Sequence, residues 1–271
     1  MDVALNSGAT MPQLGFGCMI PPAQTTEAVG RAIEIGYRSL DTASEYGNEL
    51  EVGRAIAATD VPRDELFVTT KLWNTDQGRE KTLRAFDASL DALGLEHVDL
   101  YLIHWPVPAW DLYVETWQAL VELQQDGRAR SIGVSNFEIS HLKRIVDVTG
   151  VVPAVNQIEL HPLLQQRELR AFHAQAGIVT EAWSPLAQGL ALDSPTVIEL
   201  AERHERSPGQ IVLRWHLQLG SVAIPKSVTP RRIAENFAVL DFELDEHEMD
   251  QLRALDAGTR TGPHPDTFIE D

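Results

Sequence analysis

Short apolar runs recur along the chain. Each leads into a polar residue and then into a segment of helical periodicity. Runs at Leu14–Gly17, Arg38–Asp41, Leu66–Lys71, Val98–Ile103, Ser131–Val134, Ala154–Ile158, Ile178–Ala182 and Val222–Pro225 predict strands. Several are rich in β-branched residues and lack polar alternation, as expected of strands covered on both faces of a parallel sheet. Their ends fall roughly 24 to 43 residues apart, the size of βαβ units.

The intervening segments read as amphipathic helices. Thr25 or Thr26 would cap a helix running through Ile35 and closed by Gly36, with Ala28, Ala32 and Ile35 on one face. Thr82–Leu93, Tyr113–Gln125 and Ser140–Val148 run into Gly94, Gly127 and Gly150, and Pro230–Val239 begins with proline at a first-turn position. Eight strands alternating with helices predict an α/β fold, a closed (β/α)8 TIM barrel, as a single domain over residues 1–271. Two segments depart from the rhythm. Asn6-Ser7-Gly8 predicts a turn in an N-terminal β-hairpin at the barrel floor. The long interval after the seventh strand must hold an extra helix, Pro195–Arg203, before Pro208–Leu219.

Charge narrows the partners. With 22 Lys+Arg against 40 Asp+Glu, the formal charge is −18, which repels nucleic acid and anionic membranes. No basic leader precedes Arg31, and no run of about 20 apolar residues exists to span a bilayer. The single cysteine, Cys18, has no internal disulfide partner. These features predict a cytoplasmic protein, acting on a small molecule and expected to be a monomer.

In a (β/α)8 barrel, residues just after the strands face the active site. Asp41 and Tyr46 follow the second strand, Lys71 the third and His104 the fourth. Each alone has a plain alternative: a turn aspartate, a solvated lysine, a packing histidine, a rim tyrosine. Together they form a coherent acid. Tyrosine, with a pKa near about 10, is a poor donor at neutral pH. The Lys71 ammonium would favour phenolate and lower that pKa, and Asp41 would keep Lys71 charged. His104 could orient a carbonyl oxygen. A hydride would have to come from a nicotinamide or flavin, since no side chain can supply it. No zinc-type His-x-His or His-Glu-x-x-His spacing occurs, and no metal is expected.

Six stretches in order resemble the aldo-keto reductase superfamily: Gly36-Tyr37-Arg38-Ser39-Leu40-Asp41-Thr42-Ala43, Tyr46-Gly47-Asn48-Glu49, Thr69-Thr70-Lys71-Leu72-Trp73, Gly133-Val134-Ser135-Asn136-Phe137, Val155-Asn156-Gln157-Ile158-Glu159 and Ile224-Pro225-Lys226-Ser227. The resemblance covers essentially the whole chain. It implies NADPH as hydride donor and Asp41, Tyr46, Lys71 and His104 as a catalytic tetrad. Gly15-Phe16-Gly17 continues to Cys18 and leaves a Rossmann site unsupported.

By the same resemblance, Ser135, Asn136 and Gln157 contact the nicotinamide carboxamide, and Trp183 stacks on its ring. Ser184, Leu186, Gln188 and Gly189 belong to a loop over the cofactor. Lys226, Ser227 and Arg232 would hold the adenosine 2′-phosphate, with Val228 among the contacts and Glu235 and Asn236 on the adenine amino group. This basic island in an acidic chain, at a strand end and helix start, suits phosphate on physical grounds as well. Met19, Trp73 and Trp105, with Trp110 less clearly, would wall the substrate pocket beside His104.

Val151–Pro162, Trp183 and Leu213–Gln218 are most similar to the bacterial subgroup that contains 2,5-diketo-D-gluconate reductases. The implied reaction is reduction of aldehyde or ketone carbonyls, of 2,5-diketo-D-gluconate or small dicarbonyls. The alternative is a nicotinamide-binding, redox-sensing module with little turnover.

Overall fold

In the computed structural model of the chain, which describes residues 1–270, eight parallel strands form one curled sheet. An antiparallel pair, β1 (Asp2–Ala4) and β2 (Thr10–Pro12), precedes them. The parallel strands are β3 (Phe16–Gly17), β4 (Ser39–Asp41), β5 (Phe67–Leu72), β6 (Val98–Ile103), β7 (Ala129–Ser135), β8 (Val155–Glu159), β9 (Val179–Trp183) and β10 (Val222–Ala223), each beside its neighbours in sequence. A bridge between Leu14 and Ala223 joins the two edges, so the sheet closes into a (β/α)8 barrel. Gly17 N–H donates to Pro225 O across this seam at 3.1 Å. A side chain at Gly17 would meet the Ile224 carbonyl at 2.8 Å, so only glycine lets the seam close so tightly.

Every residue of β5 and β6 is buried, which explains their apolar, non-alternating sequence. The outer layer is built from α1 (Pro22–Ile35), α2 (Glu49–Ala58), α3 (Arg79–Leu93), α4 (Tyr113–Gln125), α5 (Ile139–Thr149), α6 (Arg167–Ala176), α7 (Pro195–His204), α8 (Pro208–Gln218), α9 (Pro230–Phe237) and α10 (Glu246–Arg253). Helix α7 is the extra helix expected after the seventh barrel strand. Helix α1 begins earlier than the threonine caps suggested. Pro22 opens it, and Thr25 instead lies inside its first turns, donating to Ile20 O and Pro21 O at 3.1 Å. The last barrel strand stops at Ala223 rather than Pro225, whose missing N–H cannot continue a ladder.

The hairpin seals the barrel floor. Leu5 and Met11 pack with Phe67, Leu100, Val155 and Val222. The opposite rim is left for polar groups, with Asp41, Lys71 and Ser135 at or beside the C-terminal ends of β4, β5 and β7 and Gln157 midway along β8. Among the described residues, no helix is long and apolar enough to cross a membrane.

Candidate active site

Four strand ends bring the predicted polar residues together. Asp41 closes β4, and a short helical turn, Ser44–Tyr46, swings Tyr46 back over the rim. Lys71 Nζ donates to Asp41 Oδ1 at 2.5 Å and to Thr42 O at 2.9 Å, and lies 3.4 Å from Tyr46 Oη. The same ammonium sits 5.1 Å from the centre of the Tyr46 ring. His104 packs edge-on against Tyr46, with ring centres 5.8 Å apart.

Burial alone would strip Lys71 of its proton, but the Asp41 carboxylate overcomes it by charge and hydrogen bond and holds the ammonium above its ordinary range. Tyr46 departs from the sequence expectation. Lys71 does pull its pKa down by charge and hydrogen bond, yet burial is the larger effect and Asp41 adds to it. The net direction is upward, so the phenol stays protonated at neutral pH. For His104, burial first and the Lys71 charge second push the pKa well below 6.5, leaving a neutral imidazole. Its Nδ1 is buried and, among the described residues, unpartnered. A neutral ring is less penalised with Nδ1 as a bare acceptor and the proton on Nε2 than the reverse.

Asn48 was not singled out in the sequence beyond its place in a motif, yet it ties this corner together. Its Nδ2 donates to Cys18 O at 2.6 Å and to Ile20 O at 2.9 Å, while Thr42 Oγ1 donates to its Oδ1 at 2.8 Å. Cys18 is buried, and burial followed by the Asp41 charge pushes its thiol pKa up, which suits packing rather than nucleophilic chemistry.

A second polar group adjoins the first. Asn136, at φ 63°, donates through Nδ2 to His104 O at 2.9 Å and to Ser135 Oγ at 3.0 Å. It accepts from Trp183 Nε1 at 2.8 Å. Ser135 Oγ donates to Gln157 O at 2.9 Å. Gln157 Nε2 donates to Asp41 Oδ2 and to Glu181 Oε2, both at 2.8 Å. The four residues expected at a nicotinamide therefore form one network that touches the acid cluster through His104 and Asp41.

The loop after β9 is strained. Ser184, Ala187 and Gln188 all take positive φ, of 46°, 51° and 54°, beside Gly189 at 102°. Each such non-glycine residue costs about 1 kcal/mol or more, and strain of this kind collects at ligand clamps. Lys226 and Arg232 are exposed, and among the described residues neither is paired with a carboxylate. Ser227 Oγ accepts from Thr229 N at 3.1 Å at the start of α9, which carries Glu235 and Asn236. An amide-and-indole network, a strained loop and free cations in an acidic chain suit a phosphorylated dinucleotide.

Trp73 and Trp105 form a small apolar cluster with Val107, and Trp110, Trp183 and Phe268 pack against it. Met19 is 68% exposed and stands apart from that cluster. Phe268 was missed in the sequence. Its ring centre lies 4.3 Å from Trp105 and 6.4 Å from Trp73. The tail that carries it is anchored by Glu159, fully buried, which accepts from Thr261 N at 2.5 Å, Thr261 Oγ1 at 2.7 Å and His161 Nε2 at 3.0 Å. Gly262 lies so close to Trp183 that a Cβ would meet the indole at 2.5 Å.

A closed barrel with an acid cluster and an adjoining amide network on its C-terminal rim defines a barrel oxidoreductase. The model of the Aldo/keto reductase family matches residues 13–257, and the chain belongs to that family. It is 56% identical over 267 residues to an aldo-keto reductase of Mycobacterium sp. (strain KMS), covering 98% of this chain and 97% of the relative. It is 53% identical over 269 residues to the methylglyoxal reductase DkgA of Salmonella typhimurium, covering 98% and 97%. Among solved structures, a Gox0644 mutant in complex with NADPH is similar at TM-score 0.96 and 50% identity, covering 100% of this chain and 99% of that one.

Proposed function

We propose that this chain reduces small aldehydes and ketones to alcohols with NADPH, with dicarbonyls of the methylglyoxal kind as its substrate class. The observation that carries the reading is the buried Lys71–Asp41 pair with Tyr46 Oη 3.4 Å from the ammonium. Similarity to proteins named methylglyoxal reductase, and to a structure holding NADPH, supports the substrate and cofactor classes.

In this reading NADPH, when bound, supplies the hydride. Ser135, Asn136 and Gln157 would hold its carboxamide, and Trp183 its ring face. Ser184, Leu186, Gln188 and Gly189 would follow its pyrophosphate. Lys226, Ser227, Val228, Arg232, Glu235 and Asn236 would take its adenosine end. Tyr46 is the acid: it holds the carbonyl oxygen and gives it a proton as negative charge develops there. Lys71 beside it limits the rise of the phenol pKa and stabilises the phenolate left behind. Asp41 keeps Lys71 charged, and His104 Nε2–H donates to the same oxygen. Trp73, Trp105 and the exposed Met19 flank the substrate. The protein acts as a single-domain cytoplasmic monomer over residues 1–271.

Replacing Tyr46 by Phe tests the assignment. Aldehyde reduction should fall by at least about 100-fold, the contribution of a positioned acid, while NADPH still quenches the protein fluorescence. Wild-type turnover in Tyr46→Phe would sink it.

A further inference from the structure

One buried acid has no part in the chemistry above. Glu181 lies in the middle of β9 and is fully buried. Its Oε2 accepts from Gln157 Nε2, whose other hydrogen goes to Asp41 Oδ2, both at 2.8 Å. Its Oε1 is buried and, among the described residues, has no hydrogen-bond partner. The charges that bear on it are Asp41 from β4 and Lys71 from β5. Beyond them, the same pair bears on Cys18 and Tyr46. Beside it, β8 presents the uncharged Gln157, and β10 supplies only Val222 and Ala223.

Two consequences follow from this placement. First, the Gln157 amide has one possible orientation. Turned over, it would set Oε1 against the Asp41 carboxylate, so Asp41 draws Nε2 inward, Glu181 Oε2 accepts its second hydrogen, and Oε1 is left as the free acceptor. Second, two carboxylates around one ammonium cannot both ionise cheaply in a dry interior. Burial first, then the Asp41 charge, push the Glu181 carboxyl up to about 8, against the opposing pull of Gln157 and Lys71.

We propose that Glu181 is a positioning residue for the reduction. It is a neutral carboxyl inside the barrel that fixes the Gln157 amide and keeps a second negative charge away from Asp41, Lys71 and Tyr46. The proposal rests on the reading of Tyr46 as acid and Gln157 as a carboxamide contact. When Glu181 ionises, its charge opposes the negative charge developing on the substrate oxygen and binds the Tyr46 proton more tightly. Reduction then slows on the alkaline side because of a residue that touches neither reactant.

Glu181→Gln keeps an acceptor for Gln157 and cannot ionise; Glu181→Ala removes both properties. Infrared titration of the cofactor-free protein should show a protonated carboxyl band that fades as pH rises through about 8 and is missing from Glu181→Gln. Protein fluorescence should report NADPH affinity weakened about five- to tenfold in Glu181→Ala, the worth of one lost buried hydrogen bond. Glu181→Gln should stay within about twofold of wild type. Aldehyde reduction should decline through about pH 8 in wild type, whereas in Glu181→Gln the decline should wait for Tyr46.

The proposal is overturned if wild type shows no such band and its pH profile coincides with that of Glu181→Gln. It is equally overturned if folded Glu181→Ala binds NADPH as wild type does. Should Glu181→Ala not fold, the band and the Glu181→Gln profile still decide. Should the wild type not turn over at all, the reductase reading fails, while the band and the NADPH affinities still judge Glu181.

Discussion

The Lys71 ammonium lies 2.5 Å from the Asp41 carboxylate, with side-chain exposures of 0% and 3%. Neither charge reaches solvent, so each depends on the other. Removing one partner of such a pair typically costs about 3–5 kcal/mol, because the survivor stays buried and unpaired. Asp41→Asn should therefore lower unfolding stability by about that much. It should also lower carbonyl reduction by about 100-fold or more, because Lys71 loses its proton. Adding Lys71→Met to Asp41→Asn should restore part of the stability and none of the activity. Urea unfolding of the two single variants and the double variant checks this. Additive losses of stability would mean the pair is not coupled.

His104 is held neutral by burial and by the Lys71 charge. Its folded-state pKa lies well below the unperturbed value of about 6.5, so the ring is already neutral at that pH. The kcat/KM profile for aldehyde reduction should accordingly show no acid limb near about pH 6.5. A clear loss of activity through that pH, absent from His104→Gln, would show a charged imidazole at work.

The rim cluster was legible in the sequence because a barrel turns position into direction. A polar residue that ends an apolar strand points to the C-terminal face, so Asp41, Lys71 and His104 could be placed before any contact was known. The sign of the Tyr46 shift was not legible, because it depends on how deeply Lys71 and Asp41 are buried around it. Glu181 was readable in principle: a glutamate inside a barrel strand needs a partner, but the partner, Gln157, lies on another strand. The tail was hidden for a different reason. Thr261 meets Glu159 across 102 residues of chain, in a segment with no helical or strand period. Asn74 Nδ2, donating to Glu270 O at 3.1 Å, and His141, 3.4 Å from Asp266, hold the rest of the tail that lays Phe268 over Trp105.

That anchor makes the tail separable from the chemistry. Hydrogen bonds from His161 and Thr261 hold the Glu159 carboxyl below its ordinary range even though burial works against them. Phe268 packs on Trp105 and Trp73, the aromatic side of the pocket. Phe268→Ala should raise KM for small dicarbonyls about three- to tenfold, through loss of roughly 1 kcal/mol of aromatic contact. NADPH affinity should stay unchanged. Glu159→Gln should loosen the whole tail, producing the same KM change together with faster proteolysis after Ala257. An unchanged KM in both variants would show that the tail does not help form the pocket.

Buried histidines outside the rim set the response to acid. His216 donates through Nε2 to Pro185 O at 3.1 Å, beneath the strained loop, and burial pulls its pKa down to about 3. His173 lies against Thr180 and Asn156, and burial lowers it to about 4. In the unfolded chain both titrate near about 6.5. Between that pH and their folded values, the unfolded state binds protons that the native state refuses, so stability present above about pH 6.5 is lost as pH falls. For groups this deep the loss is on the order of a few kcal/mol each. His216→Gln, which keeps a donor for Pro185 O, should be less stable than wild type at pH 7 by about 1 kcal/mol. It should also lose about 2 kcal/mol less between about pH 7 and pH 4.5. Urea midpoints at the two pH values measure this, and an equal acid loss in both proteins would mean His216 takes up its proton without unfolding.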